Sequence, residues 1–191
     1  MLENINIILA SKSPRRRELM EFIKHEFEII PSLKEEVVPE GLDIEDIPAF
    51  LAAQKALDIS RDRRDSLVIG CDTVVTLGGV IMGKPSDETD AKAMLMRLSG
   101  RTHTVISGVC LCYMGRPMTF TEKTSVTFYD LTEEEIDSYI ASGSPLDKAG
   151  AYGIQDGAAL FVKKIDGDYY NVVGLPVAKL AREIKTLIKL V

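Results

Sequence analysis

The stretch Leu67-Val68-Ile69-Gly70-Cys71-Asp72-Thr73-Val74-Val75-Thr76-Leu77 constrains the fold more than any other part of the chain. Its apolar residues run almost without a break, whereas a strand with one wet face alternates. It therefore reads as a buried strand of a sheet. Asp72 interrupts the run, and a carboxylate in mid-strand is costly to bury without a partner. It is held in a salt bridge, bound to a metal, or turned toward a cleft. Gly78-Gly79 then turns the chain and Val80 to Pro85 returns it as a hairpin, which brings Lys84 near the level of Asp72.

A second dense stretch lies near the start, Ile7-Ile8-Leu9-Ala10-Ser11-Lys12-Ser13-Pro14-Arg15-Arg16-Arg17-Glu18-Leu19. It predicts a buried strand, a tight turn and a helix start, with Ser13 as N-cap and Pro14 as first helical residue. The first turn of a helix favours anions, so Arg15, Arg16 and Arg17 oppose the dipole there. Either the turn is a solvated basic surface, or a polyanion such as phosphate relieves it.

Composition narrows the function. The chain has 191 residues, enough for a full core, and is 46% hydrophobic and 27% charged. No apolar run approaches the roughly 20 residues of a membrane span, and Met1-Leu2-Glu3-Asn4 leads straight into a strand without a signal pattern. A cytoplasmic protein is expected. Cys71, Cys110 and Cys112 lie in apolar stretches and read as buried thiols. The net charge of −6 argues against long nucleic acid as a partner, while a small phosphorylated ligand needs only a local basic pocket. His25 and His103 belong to no zinc-type spacing, and there is no Walker-type loop, GxGxxG or GxSxG.

In chain order, Leu19, Met20, Phe22, Ile23 and Phe27 continue the first helix with one buried face, and Phe27 to Ile30 forms a short strand ended by Pro31. An acidic loop follows, containing Glu35 and Glu36. A second helix runs from near Asp43 to about Arg61 with Ile47, Leu51 and Leu57 inward. Lys55 within it is either a snorkelling surface lysine or a functional one. Ser86 or Asp87 caps a third helix with Ala91, Met94, Leu95 and Leu98 inward, stopped by Gly100. Arg101 to Tyr113 and Met118 to Tyr129 pair as strands. Thr132 to Glu135 is a capping box for a fourth helix. Ser142 to Gly157 reads as a long structureless loop, where Gln155 either reads a base edge or is a bystander. Leu160 to Ile165 and Asp168 to Val173 read as a hairpin, and Pro176 opens the last helix. The order predicts one mixed α/β domain, 1–191, with a partly antiparallel central sheet flanked by helices and a cleft between two lobes.

Taken together, four of these pieces resemble the Maf family of nucleotide pyrophosphatases: Leu9 to Leu19, Val68 to Val75 with Gly83-Lys84-Pro85, Arg97-Leu98-Ser99-Gly100-Arg101-Thr102-His103, and Asp147-Lys148-Ala149-Gly150-Ala151-Tyr152-Gly153-Ile154-Gln155. The resemblance covers essentially the whole chain. It implies a cytoplasmic enzyme that cleaves a nucleoside triphosphate to monophosphate and pyrophosphate. It also implies a fold shared with inosine-triphosphate pyrophosphatases, a divalent metal (Mg²⁺ or Mn²⁺) and a homodimer. The family's proton acceptor falls on Asp72, and its specificity positions on Arg15, Thr73 and Gln155, a set similar to the branch acting on dTTP and UTP. Further phosphate and metal positions fall on Ser11, Arg16, Glu36, Lys55 and Lys84, with Glu35 the alternative to Glu36. Two residues depart from the family pattern: Cys71 replaces a small residue, and Asp156 stands where glycine is usual. Two other functions remain open: a pyrophosphatase for another nucleotide such as 7-methyl-GTP, and a nucleotide-binding regulator of septum formation.

Overall fold

The computed structural model describes residues 5–24 and 26–190. Met1-Leu2-Glu3-Asn4 and His25 lie outside the described residues. The elements run β1 (Ile7–Leu9), α1 (Pro14–Met20), β2 (Glu28–Ile29), α2 (Ile47–Ser60), β3 (Leu67–Leu77), β4 (Val80–Met82), α3 (Glu88–Leu98), β5 (Thr102–Tyr113), β6 (Arg116–Phe128), α4 (Glu133–Ile140), β7 (Val162–Asp166), α5 (Tyr169–Val173) and α6 (Val177–Lys189). Among the described residues seven strands form one mixed sheet in the order β2-β1-β3-β5-β6-β7, with β4 on β3. β1 is parallel to β2 and β3; β4 and β7 are antiparallel to their partners β3 and β6. The fold is the mixed α/β class that the element order predicts.

The chain divides into two compact units. The first consists of Met1–Asp72, Ser107–Glu122 and Gly174–Val191; the second consists of Thr73–Ile106 and Lys123–Val173. In the first unit, Ile7, Ile8 and Leu9 pair in parallel with Leu67, Val68 and Ile69, and all six are fully buried. Burial of each such side chain is worth about 1.5–3 kcal/mol relative to leaving it in water. α6 adds Val177, Leu180, Ile184 and Leu187. α2 lies close on its strands because two strand positions are glycine. A Cβ on Gly70 would sit 2.1 Å from the Ala52 carbonyl oxygen, and one on Gly108 2.1 Å from the Ala49 nitrogen.

In the second unit, Asp87 caps α3 by accepting from the Asp90 N–H, and Ala91, Leu95 and Leu98 face inward. Gly100 ends that turn at φ +66°, a conformation natural to glycine. α4 opens with the expected capping box between Thr132 and Glu135. His103, Phe128 and Tyr152 meet edge to face, with ring centroids 4.9–5.3 Å apart.

Several expectations need correction. α1 stops at Met20, and Phe22 is exposed rather than part of a buried face. The buried stripe of α2 is Pro48, Leu51, Ala52, Ala56 and Ser60, while Leu57 is exposed. Small residues are buried there because the helix backbone rests on glycine. Leu160 belongs to a tight 3₁₀ turn, Gly157–Phe161, and is exposed; the strand begins at Val162. Asp168 to Val173 is not the second arm of a hairpin but holds helix α5. Asp168 accepts from the Tyr170 N–H, and the buried Asn171 amide donates to the Val105 carbonyl and Thr124 Oγ1. Those side-chain bonds hold the segment helical against its β-prone composition.

Candidate active site

The first unit holds Ser11, Arg15, Arg16, Glu36, Lys55 and Asp72. Ser13 caps α1 as predicted: it has extended backbone, its side chain accepts from the Arg16 N–H, and Pro14 follows. Arg15 is half-buried and Arg17 exposed. Arg16 turns back across the first unit. Its Nε donates to the Gly174 carbonyl at 2.9 Å, and its Nη1 to the Cys71 carbonyl at 2.9 Å and to Ser11 Oγ at 3.2 Å. Charge at the start of α1 is thus partly met by backbone oxygens, one of them belonging to the residue before Asp72. Cys71 is a buried thiol whose Sγ donates to the same Gly174 carbonyl at 3.3 Å.

Of the partners open to Asp72, the structure provides a salt bridge. Lys55 Nζ lies 2.6 Å from Asp72 Oδ1 and 3.0 Å from Glu36 Oε1. The side chains of Lys55 and Asp72 are only 14% and 15% exposed, so this lysine is not a snorkelling surface residue. Lys55 precedes Ala56 on α2, and Asp72 follows Gly70 on β3 by two residues. The close seat of α2 on Gly70 is what sets the ammonium and the carboxylate within reach. Two carboxylates converging on one cationic centre is also the arrangement that an oxygen-liganded divalent ion requires. Among the described residues no cluster of three or more His, Cys, Asp or Glu side chains is placed to hold a metal. The set fits a magnesium-type ion, which takes one or two carboxylates and completes its shell with water and phosphate oxygens.

The second unit holds Thr73, Lys84 and Gln155. Thr73 is half-buried in β3. Lys84 is exposed and lies two residues beyond Met82, the last β4 residue in the pairing with β3, where Met82 faces Val75. The Gly150 N–H donates to the Gly83 carbonyl at 2.9 Å, tying the glycine-rich segment to the residue before Lys84. That segment is not the structureless loop expected. It is a run of 3₁₀ turns, Ser144–Asp147, Ala149–Ala151 and Gly157–Phe161, and Gln155 is exposed in the turn before the last of them. Gly150 has φ +70°, and a Cβ there would press on Val75 at 3.1 Å.

Sequence reading missed some of the residues that build these places. Gly70 and Gly108 have a legible signal, since glycine inside an apolar strand marks close backbone approach. Tyr139 on α4 is buried, and a buried tyrosine hydroxyl needs a partner. The Gly174 carbonyl carries no side-chain signal.

Comparison with known proteins places the sequence and the fold. Two proteins of Bacillus cereus, of strains B4264 and ZK / E33L, are curated as dTTP/UTP pyrophosphatase and are 52% and 53% identical to this chain over 179 residues, which is 94% of each sequence compared. A protein of Bacillus thuringiensis subsp. konkukian with the same curated name is 52% identical over the same share. The solved structure of a HAM1 protein from Coxiella burnetii is similar with a TM-score of 0.54 and 14% identity, covering 95% of this chain and 99% of that one; it supports the fold. Residues 6–187 match the family described as Maf-like protein, and with relatives this similar over nearly its full length, the chain belongs to that family.

Proposed function

We propose that this chain is a nucleoside triphosphate pyrophosphatase acting on dTTP and UTP, the activity in the curated names of its relatives. The observation that carries the reading is the grip of Lys55 on both Glu36 and Asp72. A protein that only held a triphosphate would gain nothing from two acids beside it, because they repel the ligand. A hydrolase needs a carboxylate to orient a nucleophile.

Water attacks the α-phosphorus, the bond to the bridging oxygen breaks, and pyrophosphate leaves. Asp72 orients that water and takes its proton. Lys55 fixes the Asp72 carboxylate and offsets its charge. Arg15 and Lys84 contact the phosphates, and Ser11 and Arg16 shape the turn that receives them. Thr73 and Gln155 read the pyrimidine edge. A divalent ion, Mg²⁺ or Mn²⁺, would be held by Glu36 and Asp72 and would neutralise phosphate charge. A cytoplasmic setting and a homodimer belong to the same reading and are what the family resemblance implies. No described helix is long and apolar enough to cross a membrane.

The test is a panel of nucleoside triphosphates, assayed for pyrophosphate release with Mg²⁺ or Mn²⁺. Preferred turnover of dTTP and UTP is expected. Preference for 7-methyl-GTP would overturn the assignment of the base, and tight binding with no pyrophosphate formed would overturn the assignment of an enzyme.

A further inference from the structure

Gln155 occupies a short turn whose two ends are tied to a single hydroxyl. The Asp156 N–H donates to the Gly153 carbonyl at 3.2 Å, closing a four-residue turn with Gln155 in its third position. Tyr139, from α4, spans that turn. Its hydroxyl donates to Asp156 Oδ1 at 2.9 Å and accepts from the Gly153 N–H at 3.1 Å. Burial, the largest cause, and the neighbouring Asp156 and Asp147 carboxylates push the Tyr139 phenol above its ordinary range, so it remains a donor. Asp156 makes two further contacts. Oδ1 accepts from the Ala158 N–H at 3.1 Å, capping the next 3₁₀ turn, and Oδ2 lies 3.4 Å from Lys148 Nζ. Lys148 itself donates to the Ser144 carbonyl and to Asp147 Oδ1 at 2.7 Å. The packing is tight: a Cβ on Gly153 would fall 2.5 Å from Asp156 Oδ2 and 2.6 Å from Lys148 Cε.

The consequence is an exposed amide on a backbone that has little freedom. Ile154, before it, is buried, and Asp156, after it, is held by a hydroxyl, an ammonium and a backbone N–H. A side-chain amide discriminates between bases only if its donor and acceptor are aimed before the ligand arrives. We propose that Tyr139 and Asp156 are positioning residues for nucleobase selectivity: they hold the Gly153–Asp156 turn and thereby aim Gln155, acting on base choice rather than on the chemical step. This rests on the reading of Gln155 as a base-contacting residue. It also gives a role to the Asp156 carboxylate, whose contacts with Tyr139, Ala158 and Lys148 are otherwise unexplained.

Three variants and one double variant test it: Tyr139→Phe, Asp156→Asn, Gln155→Ala, and Tyr139→Phe with Gln155→Ala, each assayed for pyrophosphate release from UTP, dTTP and CTP. Tyr139→Phe keeps the ring and removes the hydroxyl; Asp156→Asn keeps an acceptor for Ala158 and removes the charge facing Lys148. Each is expected to lower the kcat/KM ratio of UTP over CTP about fivefold to tenfold, with the loss in KM for UTP rather than in kcat. In the Gln155→Ala background, Tyr139→Phe should change the ratio no further, because nothing remains to aim. Gln155→Ala with an unchanged ratio would show that Gln155 does not read the base. A ratio that falls for Gln155→Ala yet is unmoved by both Tyr139→Phe and Asp156→Asn would overturn the positioning role alone. Equal losses in kcat for all three nucleotides would do the same, since they would mark a general structural defect.

Discussion

Lys55 and Asp72 separate charge balance from chemistry at the scale of single residues. Lys55→Met leaves Asp72 and Glu36 without their shared cation, and Asp72 is mostly buried. We expect a stability loss of about 1–3 kcal/mol, below the range for fully buried pairs because Glu36 is half exposed to solvent; urea unfolding measures it. Asp72→Asn removes the acid while keeping shape, and should lower kcat by about 10²–10⁴-fold with the fold intact. Full turnover by that variant would exclude Asp72 as the proton acceptor. His103 offers a pH test in the second unit. Its Nε2 is 2.8 Å from the Tyr152 hydroxyl and its Nδ1 is buried without a partner. Burial lowers its pKa from 6.5 to about 4. The unfolded chain therefore takes up a proton at a pH where the folded one does not. The stability from neutral His103 is complete above pH 6.5, falls by up to about 3 kcal/mol as the pH drops toward 4, and changes little below that. His103→Phe should flatten this part of the stability profile, and a slope unchanged by the substitution would place its source elsewhere.

At the scale of elements, α2 owes its position to two missing side chains. Gly70→Ala or Gly108→Ala drives a methyl group into helix backbone 2.1 Å away. Neither the helix nor the strand can yield by a rotamer change, so a loss of about 1–3 kcal/mol or more is expected. Gly70→Ala should also lower kcat, because the helix that must shift carries Lys55. A variant with the stability loss and unimpaired kcat would show that the seat of α2 does not govern the site. The same helix shows what could be read in advance and what could not. Its existence, the Ser13 and Thr132 caps, a cap at Ser86 or Asp87 and the strand carrying Asp72 were legible, because caps and long apolar runs are local signals. Its buried face was not. Periodicity chose Leu57, but contact with glycine selects Ala52 and Ala56, and that depends on a partner strand. α5 was misread for a related reason: its helical form is stabilised by Asn171 bonding to Val105 and Thr124, residues distant in sequence. Among the candidate site residues, Asp72 was conspicuous as an acid in an apolar run. The choice of Glu36 over Glu35 as the neighbour of Lys55 needed three-dimensional placement, since the two are adjacent in one acidic loop.

At the scale of the whole molecule, neither compact unit is one continuous piece of chain. The first draws on three segments, the last of which begins at Gly174. Ending the protein at Val173 would remove the carbonyl that Arg16 and Cys71 share, together with the four buried residues of α6. That truncation should lose cooperative unfolding and bind a hydrophobic dye; a sharp melting transition close to that of the full chain would contradict it. The order of segments also bears on synthesis. The second unit has all its residues once Val173 has emerged from the ribosome, whereas the first waits for the stretch that follows. The half that carries the lysine and its two acids is therefore the last to be completed, and a nascent chain stalled before Gly174 would hold those residues without the backbone that orders the turn beside them.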